Sequence, residues 1–232
     1  MALALPHDEP ARSREGGTPA SVPGRLRTTL TAPGPWLIAL CFGVYAAQWM
    51  AVIGFLPSIY ATAGFPAGLT AVLTALAAAA NIGGNVVGGR LLQRGIAAPR
   101  LLMTAFGLMG LGTALAFGEW PGATGAVALP PAARYLAVIG FSLAGGMAPA
   151  TLFSLAIRLA PSAATVSTTV GWMQQWSSFG QVVLPPLVAW ITARAGGWQW
   201  TWLVTGACSL AGMALSLGIG RLQRCRAGEV SP

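Results

Sequence analysis

Lysine is missing from this chain and acids nearly so: five Asp and Glu stand among 232 residues, with one histidine and three cysteines. Charged residues make up 8% of the sequence, where a soluble domain carries about 25%. A water-exposed globular surface cannot be assembled from so little. The single histidine, His7, sits in a Pro- and Gly-rich N-terminal stretch, which argues against a histidine-based catalytic or metal site. Cys41, Cys208 and Cys225 are isolated and odd in number, without a Cys-x-x-Cys or Cys/His pattern. They read as small hydrophobes plus one residue near the tail. No Gly-x-x-x-x-Gly-Lys loop occurs, which removes an in-chain ATPase. Nothing in the chain calls for a metal or an organic cofactor.

What is present is apolar. Hydrophobic residues are 55% of the chain, and they lie in runs of about 20 or more, the length that crosses roughly 30 Å of hydrocarbon. Six such runs are expected to be transmembrane helices: 36–60, 66–92, 99–117, 132–159, 164–193 and 198–222. At about 1.5 Å rise per residue each is long enough to span, some with tilt. The runs do not alternate and are too long for barrel strands. The expected fold class is therefore an all-α membrane protein with six spans. Residues 1–35 read as a cytoplasmic, disordered linker, 36–222 as the six-helix bundle, and 223–232 as a cytoplasmic tail.

All thirteen basic residues are arginine, which we read as the codon bias of a GC-rich, bacterial genome. They do not form the stripe interleaved with aromatics that a nucleic-acid binder needs, so no nucleic-acid partner is expected. They sit at the ends of the runs. Arg12, Arg14, Arg25, Arg27, Arg90, Arg94, Arg100, Arg158, Arg221, Arg224 and Arg226 fall on one side, and Arg134 and Arg194 on the other. By the positive-inside rule both termini are cytoplasmic, and the expected location is a bacterial inner membrane. Trp36, Tyr60, Trp120, Tyr135, Trp198, Trp200 and Trp202 cluster near span ends, as interfacial anchors do.

The stretch 83–95, GGNVVGGRLLQRG, sets glycines, an amide and two arginines at the end of an uncharged helix. In lipid, helices associate through close packing of small residues. Ala71, Ala75, Ala79 and Gly83, the pair Gly84 and Gly88, and Gly212, Ser216 and Gly220 all follow four-residue spacing and are expected to form such seams. Polar groups inside spans are costly and need a role. Tyr45, Gln48 and Trp49 share a helical face by spacing, Asn81 and Asn85 are four apart, and Gln174, Gln175 and Gln181 lie in the fifth run. Two readings stand side by side. The amides cross-link helices, at about 0.6 kcal/mol each, or they line a site for a small molecule. No Asp, Glu, Lys, Arg or His lies mid-span, so the segment holds no evident proton carrier.

The end of that stretch, Gly89-Arg90-Leu91-Leu92-Gln93-Arg94-Gly95 with Arg100 following, resembles the cytoplasmic loop motif of the major facilitator superfamily. Gln93 stands where the family often has Asp. GGMAPATLF around Pro149 resembles the family's tenth helix, and GWMQQWSSFGQVVLPPLVAW its eleventh. MALALPHDEP resembles the end of a sixth helix entering the central loop. Gly84-Asn85-Val86-Val87 and Gly180-Gln181-Val182-Val183 echo one another in two three-helix segments. The resemblance covers the chain as helices seven to twelve. It implies a half-bundle of two inverted three-helix repeats and transport of a small solute by alternating access. It also implies a partner N-terminal half, with the lipid bilayer as surroundings. Cavity candidates are then Tyr45, Gln48, Trp49, Asn81, Asn85, Gln174 and Gln175, on helices expected to line the cavity. The cytoplasmic gate loop is Gly89, Arg90, Gln93, Arg94, Gly95 and Arg100. The third and sixth spans are expected to face lipid. Rival readings are a six-span membrane protein without transport of its own, or a membrane subunit of another transporter class. An intramembrane enzyme would need a His or Asp within the spans, and they offer none.

Overall fold

The computed structural model describes residues 21–122 and 125–228, with backbone alone at 120–122, 125, 126 and 227. The Trp120 side chain, residues 1–20 of the expected linker and residues 229–232 of the expected tail lie outside the described residues. Seven α-helices run in order: α1 (Val22–Thr31), α2 (Pro33–Thr62), α3 (Ala67–Gln93), α4 (Ala98–Phe117), α5 (Pro131–Leu159), α6 (Val166–Ala195) and α7 (Thr201–Gly228). Helices α2 to α7 fall on the six expected runs. Five of them, all but α6, are long and apolar enough to cross a membrane. The chain is thus an apolar, helical, multi-pass membrane protein by length and composition. Helix α6 is as long as α2 but less apolar, because its sequence spends positions on Gln174, Gln175, Gln181 and several Ser and Thr.

Three expectations need correction. Residues 22–31, read as part of a disordered linker, form α1, whose start is marked by Pro23 and by Ser21, whose Oγ accepts from the Gly24 N–H at 3.4 Å. The tail is helical as far as Gly228, because α7 continues past Leu222. The all-α reading holds for the membrane-length elements, but the α4–α5 connection carries a hairpin of β1 (Glu119–Gly122) and β2 (Gly125–Ala128), with Glu119 opposite Ala128.

Helix boundaries follow local chemistry. Prolines stand at the first or second position of α2, α4 and α5, where their missing N–H costs nothing. Ala32, held extended before Pro33, breaks α1 from α2. Helix α3 ends in a paired closure: the Ile96 N–H donates to the Leu91 carbonyl at 3.1 Å and the Gly95 N–H to Leu92 at 3.0 Å. Gly95 has φ +84°, a conformation that a Cβ would strain.

Helices α2 and α5 form the centre. Over its most apolar stretch α2 is 67% buried and α5 56%, whereas α3 is 17% buried. The packing has a regular form. Helix α2 packs against α6 and α7, α5 packs against α3 and α4, α2 also meets α5, and α4 meets α7. Exchanging α2, α3 and α4 for α5, α6 and α7 maps this set of pairings onto itself. Helices α3 and α6 each bury one narrow stripe, Thr70, Ala77, Gly84 and Gly88 on one and Thr169, Met173, Ser177, Leu184 and Val188 on the other, and both stripes end on a seven- then four-residue spacing.

Glycine sets both of those contacts. A Cβ on Gly84 would collide with the Leu143 carbonyl oxygen, and one on Gly146 with that of Asn81; one on Gly88 would meet Met147 Cα at 2.9 Å. Across α2 and α6, a Cβ on Gly180 would collide with the Gly43 carbonyl oxygen. The seam expected at Ala71, Ala75, Ala79 and Gly83 is not a buried contact, all four residues being exposed. Of the expected seams, Gly84 with Gly88 is buried, as is Gly212 with Ser216 and Gly220, which packs on Phe106 and Pro99 of α4. Four buried hydroxyls are met within their own helices: Thr113, Thr151, Thr205 and Ser216 donate to carbonyls four residues back at 2.7–3.2 Å.

Candidate functional site

The close contact of α3 with α5 brings an amide cluster together. Gly146 lets the α3 backbone at Asn81 and Asn85 approach α5, so the Asn81 amide N–H reaches the Ser142 carbonyl at 3.1 Å and the Tyr45 hydroxyl at 3.0 Å. The Asn85 amide donates to the Asn81 Oδ1 at 3.3 Å. The Trp49 indole N–H donates to the Ser142 hydroxyl at 3.2 Å. Tyr45 and Trp49, four residues apart on α2, therefore meet Asn81 and Asn85 of α3 and Ser142 of α5 in one network. Tyr45 and Ser142 are buried, while Trp49, Asn81 and Asn85 are half-buried. The Asn85 amide bonds back to Asn81 on its own helix; the other polar side chains of the cluster join helices, the chemistry of a cross-link whose edge remains accessible.

Gln48 does not share this face. It is fully buried and points towards α4 and α7, where the Ser209 hydroxyl donates to its Oε1 at 3.0 Å and its Nε2 approaches the Met109 sulfur at 3.8 Å. Grouping it with Tyr45 and Trp49 by spacing is corrected: it is an internal brace, out of reach of a ligand. Gln174 and Gln175 are exposed on α6, apart from the cluster, and neither makes a hydrogen bond within the described residues. Gln181 bonds only within its own helix, its Nε2 donating to the Ser177 hydroxyl at 3.1 Å.

Among the described residues, three of the cavities between helices stand out, and none of these is lined by the seven candidates. One of 580 Å³ lies between α2 and α3, bounded by Pro57, Phe65, Thr70 and Thr74. Pro57 has no N–H to offer the Ile53 carbonyl, and the Thr70 and Thr74 hydroxyls are buried without a partner. Sequence reasoning missed these threonines, although their four-residue spacing beside Pro57 was visible. The other two, of 320 and 210 Å³, are apolar and lie at equivalent places, between α3, α4 and α5 and between α6, α7 and α2.

The α3–α4 loop holds the gate candidates. Gly95 closes α3, Arg94 follows its last turn, and Arg90, Gln93, Arg94 and Arg100 are exposed. Gly89 faces open space, where a Cβ would meet nothing within 4 Å. No acidic side chain lies on these helices or on the loop between them to pair with the arginines. The two arginines set apart by charge counting are both engaged: Arg134 Nε donates to the Ala116 carbonyl at the end of α4, and the Arg194 guanidinium lies 5.2 Å from the Trp190 ring centre. Among the described residues, no group of three or more His, Cys, Asp or Glu is placed to hold a metal.

Neither a family model nor a curated protein matches this chain.

Proposed function

We propose that this chain is the C-terminal six-helix half of a major-facilitator-type secondary transporter, built from two inverted three-helix repeats. It would move a small neutral or amphipathic solute by alternating access in a bacterial inner membrane with both termini cytoplasmic. The observation that carries the reading is the interchange of pairings between α2–α4 and α5–α7, which leaves α3 and α6 each packed along a single narrow stripe. In this reading α6 is the fifth of six spans and crosses the membrane although it is less apolar than the others. Its shortfall in apolarity follows from a water-facing side that presents Gln174 and Gln175, as suits a helix lining a cavity rather than lipid. In this reading Trp49, Asn81 and Asn85 edge the cavity that the N-terminal half would complete, and the α3–α4 loop is the cytoplasmic gate, with Gln93 offering hydrogen bonds in place of an ion pair. The spans carry no mid-membrane charge, so any coupling residue belongs to the N-terminal half.

Proteoliposome uptake of a panel of neutral and amphipathic solutes tests this, with the chain alone and with a six-span N-terminal half supplied in trans. Uptake is expected only from the pair, and Gln175→Leu should weaken apparent substrate affinity by about tenfold, the loss of one uncharged hydrogen bond to a ligand. A pair that carries nothing would return the chain to the rival reading, a six-span protein without transport of its own.

A further inference from the structure

Helix α1 lies across the end of the bundle that carries most of the arginines. It packs on the single turn at 163–165 that follows α5, and on α6, rather than continuing along α2. The Trp36 indole N–H ties it down, donating to the Leu30 carbonyl at 2.8 Å. The joint beneath it is tight, since a Cβ on Gly34 would stand 2.7 Å from the Leu159 carbonyl oxygen at the end of α5. Thr29 is buried against the bundle, yet Val22 and Leu26, four residues apart on one side, are 70% and 44% exposed. Arg25 and Arg27 flank Leu26, each about 100° around the helix from it. They have no acidic partner among the described residues, and the only acid there, Glu119, is in the hairpin between α4 and α5.

A helix fixed across the mouth of a membrane bundle, apolar on one strip and cationic at its borders, matches one kind of surface. We propose that α1 is an in-plane anchor that seats Val22 and Leu26 at the acyl boundary while Arg25 and Arg27 bind the phosphates of anionic phospholipid. The fit is by charge and depth together. The apolar strip enters the leaflet, and the guanidiniums stay at the headgroups on stems long enough to reach them. This holds whether or not the chain transports, because it requires only that α2 to α7 be embedded.

The test uses the full chain with Cys208→Ser and Cys225→Ser, the fully buried Cys41 being kept, in lipid nanodiscs. An environment-sensitive fluorophore is placed at Leu26→Cys or, on the exposed opposite side, at Thr28→Cys. Quenching by neutral acrylamide reads water contact. In nanodiscs containing phosphatidylglycerol the Leu26 label should be shielded several-fold relative to the Thr28 label. That contrast should shrink towards unity in pure phosphatidylcholine and in the Arg25→Gln/Arg27→Gln variant, as the constant for seating α1 falls by about fivefold for each arginine lost. Equal quenching at the two positions in anionic nanodiscs would overturn the proposal. So would a contrast that is unchanged by removing either the anionic lipid or the arginines.

Discussion

The contact of α3 with α5 and that of α2 with α6 are equivalent in the exchange of helix triplets, yet they are made of different material. Both are opened by glycine, Gly84 and Gly146 in the first and Gly43 and Gly180 in the second. Around the first sits the amide network of Asn81, Asn85, Tyr45, Trp49 and Ser142. Around the second sit aromatic rings: Trp36 lies 4.9 Å from Trp172 and 5.8 Å from Trp176, and Trp176 lies 5.6 Å from Phe179. Amides have directional partners on the facing helix and so fix how far one helix slides along the other. Edge-on rings pack over a range of offsets. The difference teaches that glycine sets the approach in both places, while hydrogen bonds set the register in only one.

Removing the approach should have the largest effect. Gly146→Val places a branched Cβ against the Asn81 carbonyl oxygen and 2.8 Å from the Asn85 backbone nitrogen. Backbone cannot rotate away as a side chain can, so α3 and α5 must separate, and their shared hydrogen bonds go with the contact. The expected cost is about 3 kcal/mol or more, seen as a fall of roughly 10 °C in the melting temperature of the detergent-solubilised protein. A melting curve unchanged from the parent would show that the two helices are not held at this distance. Gly89→Ala is the matched control, because open space surrounds that position.

The next effect separates amide from ring. Asn81→Leu removes the bonds to the Tyr45 hydroxyl and the Ser142 carbonyl and leaves the hydroxyl unsatisfied in an apolar interior. The loss should be about 1–2 kcal/mol. In a double-mutant cycle with Tyr45→Phe the two losses should overlap rather than add. Additive losses would mean that the two side chains do not bond to each other.

These contrasts bear on what could be read beforehand. The helices were legible because apolar length alone announces them in a membrane protein, and Pro33, Pro99 and Pro131 with Gly95 mark their ends. The facing of each helix was not. In a soluble protein a polar side and an apolar side phase the helix, but here lipid and helix neighbour are both apolar, and Ala or Gly suits either. So Ala71–Ala75–Ala79–Gly83 looked like a seam, while the buried stripe runs through Ala77, Gly84 and Gly88, where Gly84 stands one position past Gly83. Spacing likewise united Gln48 with Tyr45 and Trp49, although a turn of about 300° from Tyr45 is enough to deliver it to Ser209 of α7. Helix α1 was hidden by its Pro, Gly and Arg content, despite the Ser21-Val22-Pro23 start that could have betrayed it. The amides themselves were found by type, because a polar side chain in a span is rare. What they touch required the glycine contacts to be known.

The smallest expected effect is also the sharpest check on the comparison. Gln181 sits on α6 in the segment that echoes Asn85 of α3, and the sequence alone gives no reason to treat the two amides differently. Asn85 bonds only within α3, but to Asn81, which itself bonds across to α2 and α5; Gln181 donates only to Ser177 one turn back on its own helix. Replacing it with leucine removes no bond between helices and adds apolar surface on a half-buried position. Gln181→Leu should therefore leave the stability within about 0.5 kcal/mol of the parent, read from the same melting curves. Asn85→Leu, which takes a donor from the Asn81 carboxamide, should lower it measurably. If both replacements destabilised equally, the aromatic contact would depend on its amide as much as the first contact does, and the distinction drawn between the two equivalent contacts would dissolve.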